Sequence, residues 1–433
     1  MTLSHSDKKG FATKATLVAL ASLTLTAPIA AFAQAEPIVI TSPMVVPEPN
    51  SPISANRTLA HKMFRSLTGV SLPIDDARLK SMETLIGAKK LREASKVATS
   101  DPLFYQNKVR DMAAKMTNRD ESLRAPLNDF IATFVGVVRD SESTSAKELL
   151  TGNFTYQADP NVIAAGGGAA VRMDDQADFI ESNNHYNDIR TNNYSLKSIL
   201  KRVNGQRAMV DNMPGALPDA AGLITTRGFM QAHADAGTNR RLVEYSFRQF
   251  MCAPITDFAD GTMPDDRVGR DVDRMPGGSA NKYLTTCKNC HTVMDPLRGA
   301  FARVDWVGNN RLNYTPTAVS GKMNRNRDQY PAGFATVDDS FVNYAINGKN
   351  RDAFGWRNSL SGNGMAAFGS MLANSQGFSR CMVKRVFESV CKRMPAEAET
   401  SVVRQIADDF EKDNYHMRNL FEVISLRPEC GIN

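Results

Sequence analysis

The run TTCKNCHTVMDPL over residues 285–297 places Cys287 and Cys290 two residues apart and His291 directly after the second thiol. C-x-x-C-H is the signature of c-type haem attachment: two thiols add across the vinyl groups of the porphyrin, and the following imidazole reaches the iron from one face. A helical turn that starts at Cys287 brings both sulfurs and His291 to the same edge of such a ring. The spacing thus has a physical origin in the macrocycle.

Three other chemistries begin with the same pair of cysteines. A zinc site calls for a second ligand pair at finger or ribbon spacing, and the chain has no other C-x-x-C and no H-x-x-x-H. A thioredoxin-like redox pair belongs at a helix start after a strand in an α/β setting, which these flanks do not provide. A local disulfide leaves His291 unexplained. One covalent haem c, held by Cys287 and Cys290 with His291 as the proximal iron ligand, is therefore the expected cofactor.

A ligating histidine needs a partner for its second ring nitrogen, because that contact fixes the ring and its donor strength. Asp295 or the carbonyl of Pro296 is expected to accept it. For the opposite face of the iron, Met294 lies too close to His291 in sequence. Met323, Met365 and Met371 follow at distances that allow a crossing loop, and GNGMAAFGSM over residues 362–371 suits one, which makes Met365 and Met371 the candidate distal ligands, with His233 as a further option. Against them stands the number of methionines, 20, most of which fill core space. Arg270 and Arg274 carry the bidentate geometry that suits haem propionates, against the plainer reading of a solvated charged loop.

Four cysteines remain. If residues 378–392 form one helix, Cys381 and Cys391 lie roughly 15 Å apart along its axis, beyond the ~7 Å that a disulfide spans. Of the two connectivities left, Cys391 with Cys430 and Cys252 with Cys381 is favoured, since a helical hairpin would bring the C-terminus back to Cys391.

The elements that must position these residues are mainly helical. Apolar residues recur at three- and four-residue intervals from Thr58 to Asp140, with Asp75 and Asp101 as N-caps, which predicts an N-terminal helical bundle. SLKSILKRV and RRLVEYSFRQFMC continue the helical pattern to about residue 245. VIAAGGGAAVRMDD, which precedes both, reads as a surface loop, because its glycines lack the spacing of a phosphate loop. Residues 246–365 are expected to form a cytochrome c-like haem module, entered through a long polar connection over residues 253–280. A C-terminal helical module, residues 366–433, closes the fold, with Phe378, Met382, Val383, Val386, Phe387 and Val390 on one face.

The N-terminus reads as an address. Lys8, Lys9 and Lys14, an apolar run and small residues before Ala33 and Ala35 predict a signal peptide over residues 1–33 and export to the periplasm or cell surface. A Pro-rich leader over residues 34–57 follows. Removal of residues 1–33 takes three lysines and Asp7, so the formal charge falls from +6 to +4. With that mild balance and no basic run interleaved with aromatics, nucleic acid is not an expected partner. No segment of the mature chain is long and apolar enough to span a bilayer.

CKNCHTVMDPLRGAFARVDWVGNNR resembles the haem-binding module of planctomycete-type cytochrome c proteins, in which C-x-x-C-H is followed by an M-D-P-L segment, an aromatic-Asp and a Gly-x-x-Arg. GLITTRGFMQAHADAGTNRRLVEYSFRQFMC and NSQGFSRCMVKRVFESVCKRMP are similar to the flanking segments of that family. The chain departs in carrying Arg298 between Leu297 and Gly299, and Val304 before Asp305. The resemblance implies a haem protein with this architecture and leaves its activity open. Single-electron transfer to and from a redox partner protein is the expected function. The alternatives are a peroxidase- or oxygenase-like enzyme with an open sixth iron position, and a helical binding module with structural haem.

Overall fold

The structure, a computed structural model, describes residues 53–308, 311–326 and 329–431. The expected signal peptide over residues 1–33 and the expected leader as far as Pro52 lie outside the described residues.

The first helix, Ala55–Thr68, begins inside the stretch read as leader. Ser54 supplies the reason: its hydroxyl accepts the Arg57 N–H, and Gly69, at φ 78°, closes the other end in the left-handed conformation. Ala77–Gly87 and Leu91–Thr99 pack against it and against each other. The cap of Ala77–Gly87 is Asp76, whose carboxylate accepts the Arg78 N–H, and not the neighbouring Asp75. Asp101 does serve as a cap, accepting the Leu103 N–H at 2.8 Å. Asp129–Arg139 is buried on every side from Phe130 to Val138, as its almost wholly apolar sequence demands. Gly136 on that helix leaves room for the Tyr156 ring, 2.3 Å from where a Cβ would stand.

Among the described residues, eight short strands interrupt this mainly α architecture. β1 (Phe154–Ala158) pairs antiparallel with β2 (Leu200–Asn204), Tyr156 opposite Arg202. β3 (Arg207–Val210), β4 (Met213–Ala216), β5 (Val304–Val307) and β6 (Arg311–Tyr314) form a sheet in the order β4-β3-β6-β5, in which only β3 and β6 run parallel. β7 (Ser340–Val342) and β8 (Ser361–Asn363) pair antiparallel. The expected helix over SLKSILKRV is thus a single turn, Leu196–Ile199, that passes into β2. Pairing with β1, some forty residues upstream, outweighs the local periodicity. In the glycine-rich segment, Pro160–Gly166 is helical, and the exposed loop begins after Gly167.

Arg240–Phe250, Gln376–Cys391, Thr400–Lys412 and Met417–Ser425 form where helical periodicity predicts them. All six residues named for one face of Gln376–Cys391 are buried. The last helices return to the N-terminal ones: Met417–Ser425 packs on Leu91–Thr99 and Gln376–Cys391. The described residues form one compact unit, whose main core draws on the N-terminal helices, the central segment and the C-terminal helices alike. Two disulfides brace it, Cys252–Cys381 and Cys391–Cys430, with Cα–Cα distances of 5.2 and 4.6 Å. Among the described residues, no helix is long and apolar enough to cross a membrane.

Candidate functional site

The C-x-x-C-H motif stands on a helix. A π-helical turn, Tyr283–Cys287, runs directly into Lys288–Arg298, which continues through Pro296 near its C-terminal end, where only one backbone N–H is lost. Positions 284, 287, 291 and 294 fall on one side of this helix. The side is buried unevenly. Cys287, Cys290, His291 and Met294 are half-buried, Leu284 is exposed, and the next turn, with Asp295 and Arg298, is enclosed.

With the other four cysteines bonded to one another, Cys287 and Cys290 are left as free thiols. Val268, Val272 and Tyr283 pack into a small apolar cluster against Cys287. Burial pushes the Cys290 thiol up, and the nearby Glu244 carboxylate adds to the effect. That is the reverse of the lowered thiol on which a redox-active cysteine pair depends. Among the described residues, no three His, Cys, Asp or Glu side chains gather in a way that could hold a metal ion by themselves.

His291 is held by the buried turn below it. Its Nδ1 lies 3.0 Å from Asp295 Oδ1. An ionised carboxylate can only accept, so Nδ1 carries the proton, and Nε2 is left with its lone pair and no partner among the described residues. Of the two acceptors expected from sequence, it is thus the Asp295 carboxylate and not the Pro296 carbonyl that stands against the ring.

Asp295 itself is fully buried and has three further donors. Arg240, at the start of helix Arg240–Phe250, meets it with two nitrogens, Nε to Oδ1 at 2.6 Å and Nη2 to Oδ2 at 2.7 Å, and the Gly269 N–H donates to Oδ2 at 2.9 Å. Arg240 also grips Asp271, Nη1 to Oδ2 at 2.5 Å and Nη2 to Oδ1 at 2.9 Å. Arg298, 1% exposed, completes the group, with Nη1 3.4 Å from Asp271 and 3.0 Å from the Thr238 hydroxyl. Two arginines face two aspartates, so the buried charges cancel. Burial alone would raise the Asp295 carboxyl, but the Arg240 guanidinium, with Arg298 and the His291 contact behind it, holds it well below the usual carboxylate range. Asp271 is likewise lowered against its burial, by Arg240 and then Arg298. Gly269 has no side chain where Arg298 Nη2 passes, 2.2 Å from the site of a Cβ. Arg240, Asp271 and Gly269 are not singled out by the sequence, and Arg298 stands out there only as a departure from the family pattern, because nothing local to any of them announces the partner.

The connection over residues 253–280 is clipped along this helix. Asp260 N–H donates to Asn289 O at 2.9 Å, and the Thr292 hydroxyl donates to Asp260 O at 2.7 Å. Arg274 braces the same loop. It donates to the Val272 and Val268 carbonyls at 2.9 and 3.1 Å and stacks over the Tyr283 and Tyr330 rings. That guanidinium is spent on loop structure. Arg270 donates through Nε to Gly333 O at 3.0 Å, which leaves its two terminal nitrogens without a partner among the described residues.

The distal candidates sit in the core. Met365 and Met371 are 0% and 3% exposed on helix Gly364–Ala373, whose principal partners are Glu148–Thr151, Gly299–Phe301 and β8 rather than Lys288–Arg298. Met323 is also fully buried. His233 is enclosed too, stacked on Tyr245 at 4.0 Å and edge-on to Phe229 at 4.5 Å, with neither ring nitrogen hydrogen-bonded.

The donor set fits a c-type haem: two free thiols and an imidazole with an outward lone pair share one helix face, beside an apolar cluster and the exposed Leu284. No family model matches the chain, and no curated protein or solved structure does.

Proposed function

We propose that the protein is an exported monohaem c-type cytochrome, akin to the planctomycete-type cytochrome c proteins, that passes single electrons between partner proteins. Haem c, when bound, supplies an iron that takes up and gives back one electron. Cys287 and Cys290 would fix it to the chain, and His291 would bind the iron through Nε2.

One observation carries this reading. In a chain whose other cysteines are all bonded, the two that stay free share a helix face with a histidine whose Nδ1 is already committed, so that Nε2 is presented outward. The two disulfides agree with an oxidising compartment, the same one in which thioether attachment takes place. Val268, Val272 and Tyr283 would form an apolar wall beside the porphyrin, and Arg270 is the arginine left with nitrogens for a propionate.

The test is expression with haem-attachment machinery. The wild type is expected to give a haem-staining band in a denaturing gel, and the Cys287→Ala, Cys290→Ala double variant is expected to lose it. Wild-type protein with the mass of the bare processed polypeptide would end the reading. Oxidised and reduced absorption spectra of the same sample report the ligand opposite His291 and separate electron transfer from an enzyme: a six-coordinate low-spin ferric form supports the former, and high-spin iron that binds cyanide quickly supports the latter.

A further inference from the structure

The partner of His291 is a charged group, and it is not free to move. Asp295 Oδ1 stands 3.0 Å from Nδ1, its side chain is 0% exposed, and Arg240 and the Gly269 N–H fill the rest of its hydrogen-bonding capacity. A carboxylate and a carbonyl at this position do different things. Either can orient the ring. Only the carboxylate adds a full negative charge, carried to the iron through the imidazole as stronger electron donation. Oxidised iron bears one more positive charge than reduced iron, so such a charge stabilises the oxidised state more. Low local dielectric keeps the effect from being screened.

The surrounding charges set how much of it reaches the ring. Arg240 lies across Asp295 and Asp271 together, so each carboxylate claims part of one guanidinium. Asp271 has no contact with His291. By drawing on Arg240 and Arg298, it leaves Asp295 less neutralised than it would be alone.

We propose that Asp295 is a positioning residue that lowers the reduction potential of iron bound by His291, and that Arg240 and Asp271 set the size of that effect. This inference rests on the haem reading given above. It makes the site an acceptor only for strongly reducing donors, and it makes the ion network at the base of the motif helix a tuning device as well as a support.

Two measurements test it. The first is made on protein produced without haem attachment, by nitrogen-15 NMR of the histidine rings at about pH 8.5, where histidine is neutral. The His291 signal, assigned by its loss in His291→Gln, is expected to show the Nδ1–H tautomer. An Nε2–H tautomer overturns the proposal. The second is the reduction potential of the haem-loaded protein. Asp295→Asn keeps a hydrogen-bond acceptor and removes the charge, and it is expected to make reduction by a fixed donor at least about tenfold more favourable, about 59 mV for one electron. Asp271→Asn is expected to move the potential in the same direction by less. Since Asp295→Asn leaves Arg240 buried with one partner fewer and can fail to fold, Asp271→Asn carries the sign independently. An unchanged or lowered potential in either folded, haem-loaded variant overturns the proposal. Wild-type protein that acquires no covalent haem removes the reading beneath it, whereas loaded protein with unmoved potentials sinks the tuning role alone.

Discussion

Replacing Arg240 with leucine should expose how much the buried ion group costs when it is broken. Arg240 makes four contacts of 2.5–2.9 Å to Asp271 and Asp295 and a fifth, at 2.6 Å, to the Thr238 hydroxyl. Taken singly, hydrogen bonds to charged groups are worth about 1.5–3 kcal/mol each, but the desolvation of both partners consumes most of that sum. Removing one member of a buried pair costs about 3–5 kcal/mol, because the other charge is left behind. At ~2.1 cal/mol/K per residue over about 380 residues, a loss of ~4 kcal/mol lowers the melting temperature by about 5 °C. The sign of the pH dependence follows from the two carboxyls. Both are held below their unfolded value, so their stabilisation is present above about pH 4 and is lost as pH falls. Urea titrations at pH 7 and at about pH 3.5 should therefore show a penalty for Arg240→Leu that shrinks with acid, where the stranded carboxyls can take up protons. In a cycle with Asp295→Asn, the two losses should be less than additive by at least about 1 kcal/mol, as for residues in one network. A penalty under ~1 kcal/mol at pH 7, or one equal at both pH values with strict additivity, would refute a coupled buried network.

Burial, followed by the neighbouring Arg119 and Arg241, depresses His233 to about 3. A base so depressed lends stability that is complete above its unfolded value, about 6.5, and declines as pH falls towards the folded one, by up to ~1.4 kcal/mol per pH unit. Unfolding measured from pH 7.5 to 4.5 should show this component in the wild type and not in His233→Phe; parallel losses in the two proteins would contradict it. At the end of the motif helix, a Cβ on Gly299 would stand 1.9 Å from the Ser340 carbonyl oxygen of β7. Gly299 has an ordinary helical φ of −52°, so Gly299→Ala should cost about 1–3 kcal/mol through crowding alone. A variant that melts with the wild type would show that β7 yields freely.

Cys287, Cys290 and His291 were legible because their relation is local: covalent spacing and the helical repeat place them on one face whatever the rest of the chain does. Asp295 was half legible for the same reason, four residues on from His291, though only the fold chose its carboxylate over the Pro296 carbonyl. Helices Arg240–Phe250 and Gln376–Cys391 carried their own apolar periodicity, and the length of the latter was enough to forbid a Cys381–Cys391 bond. Other outcomes depended on partners far away in sequence. β2 replaced an expected helix because β1 was there to pair with it. Met365 and Met371 stood out as candidate ligands in a crossing loop, and only the packing of helix Gly364–Ala373 put them in the core. Arg240 meets Asp295 from 55 residues away, and Asp271 joins the group through the same guanidinium. A sequence by itself determines what neighbouring residues can do together. Which charge lies buried against which, and so how strongly His291 would donate to iron, was decided only by tertiary packing, because electrostatic coupling depends on distance and burial and not on order along the chain.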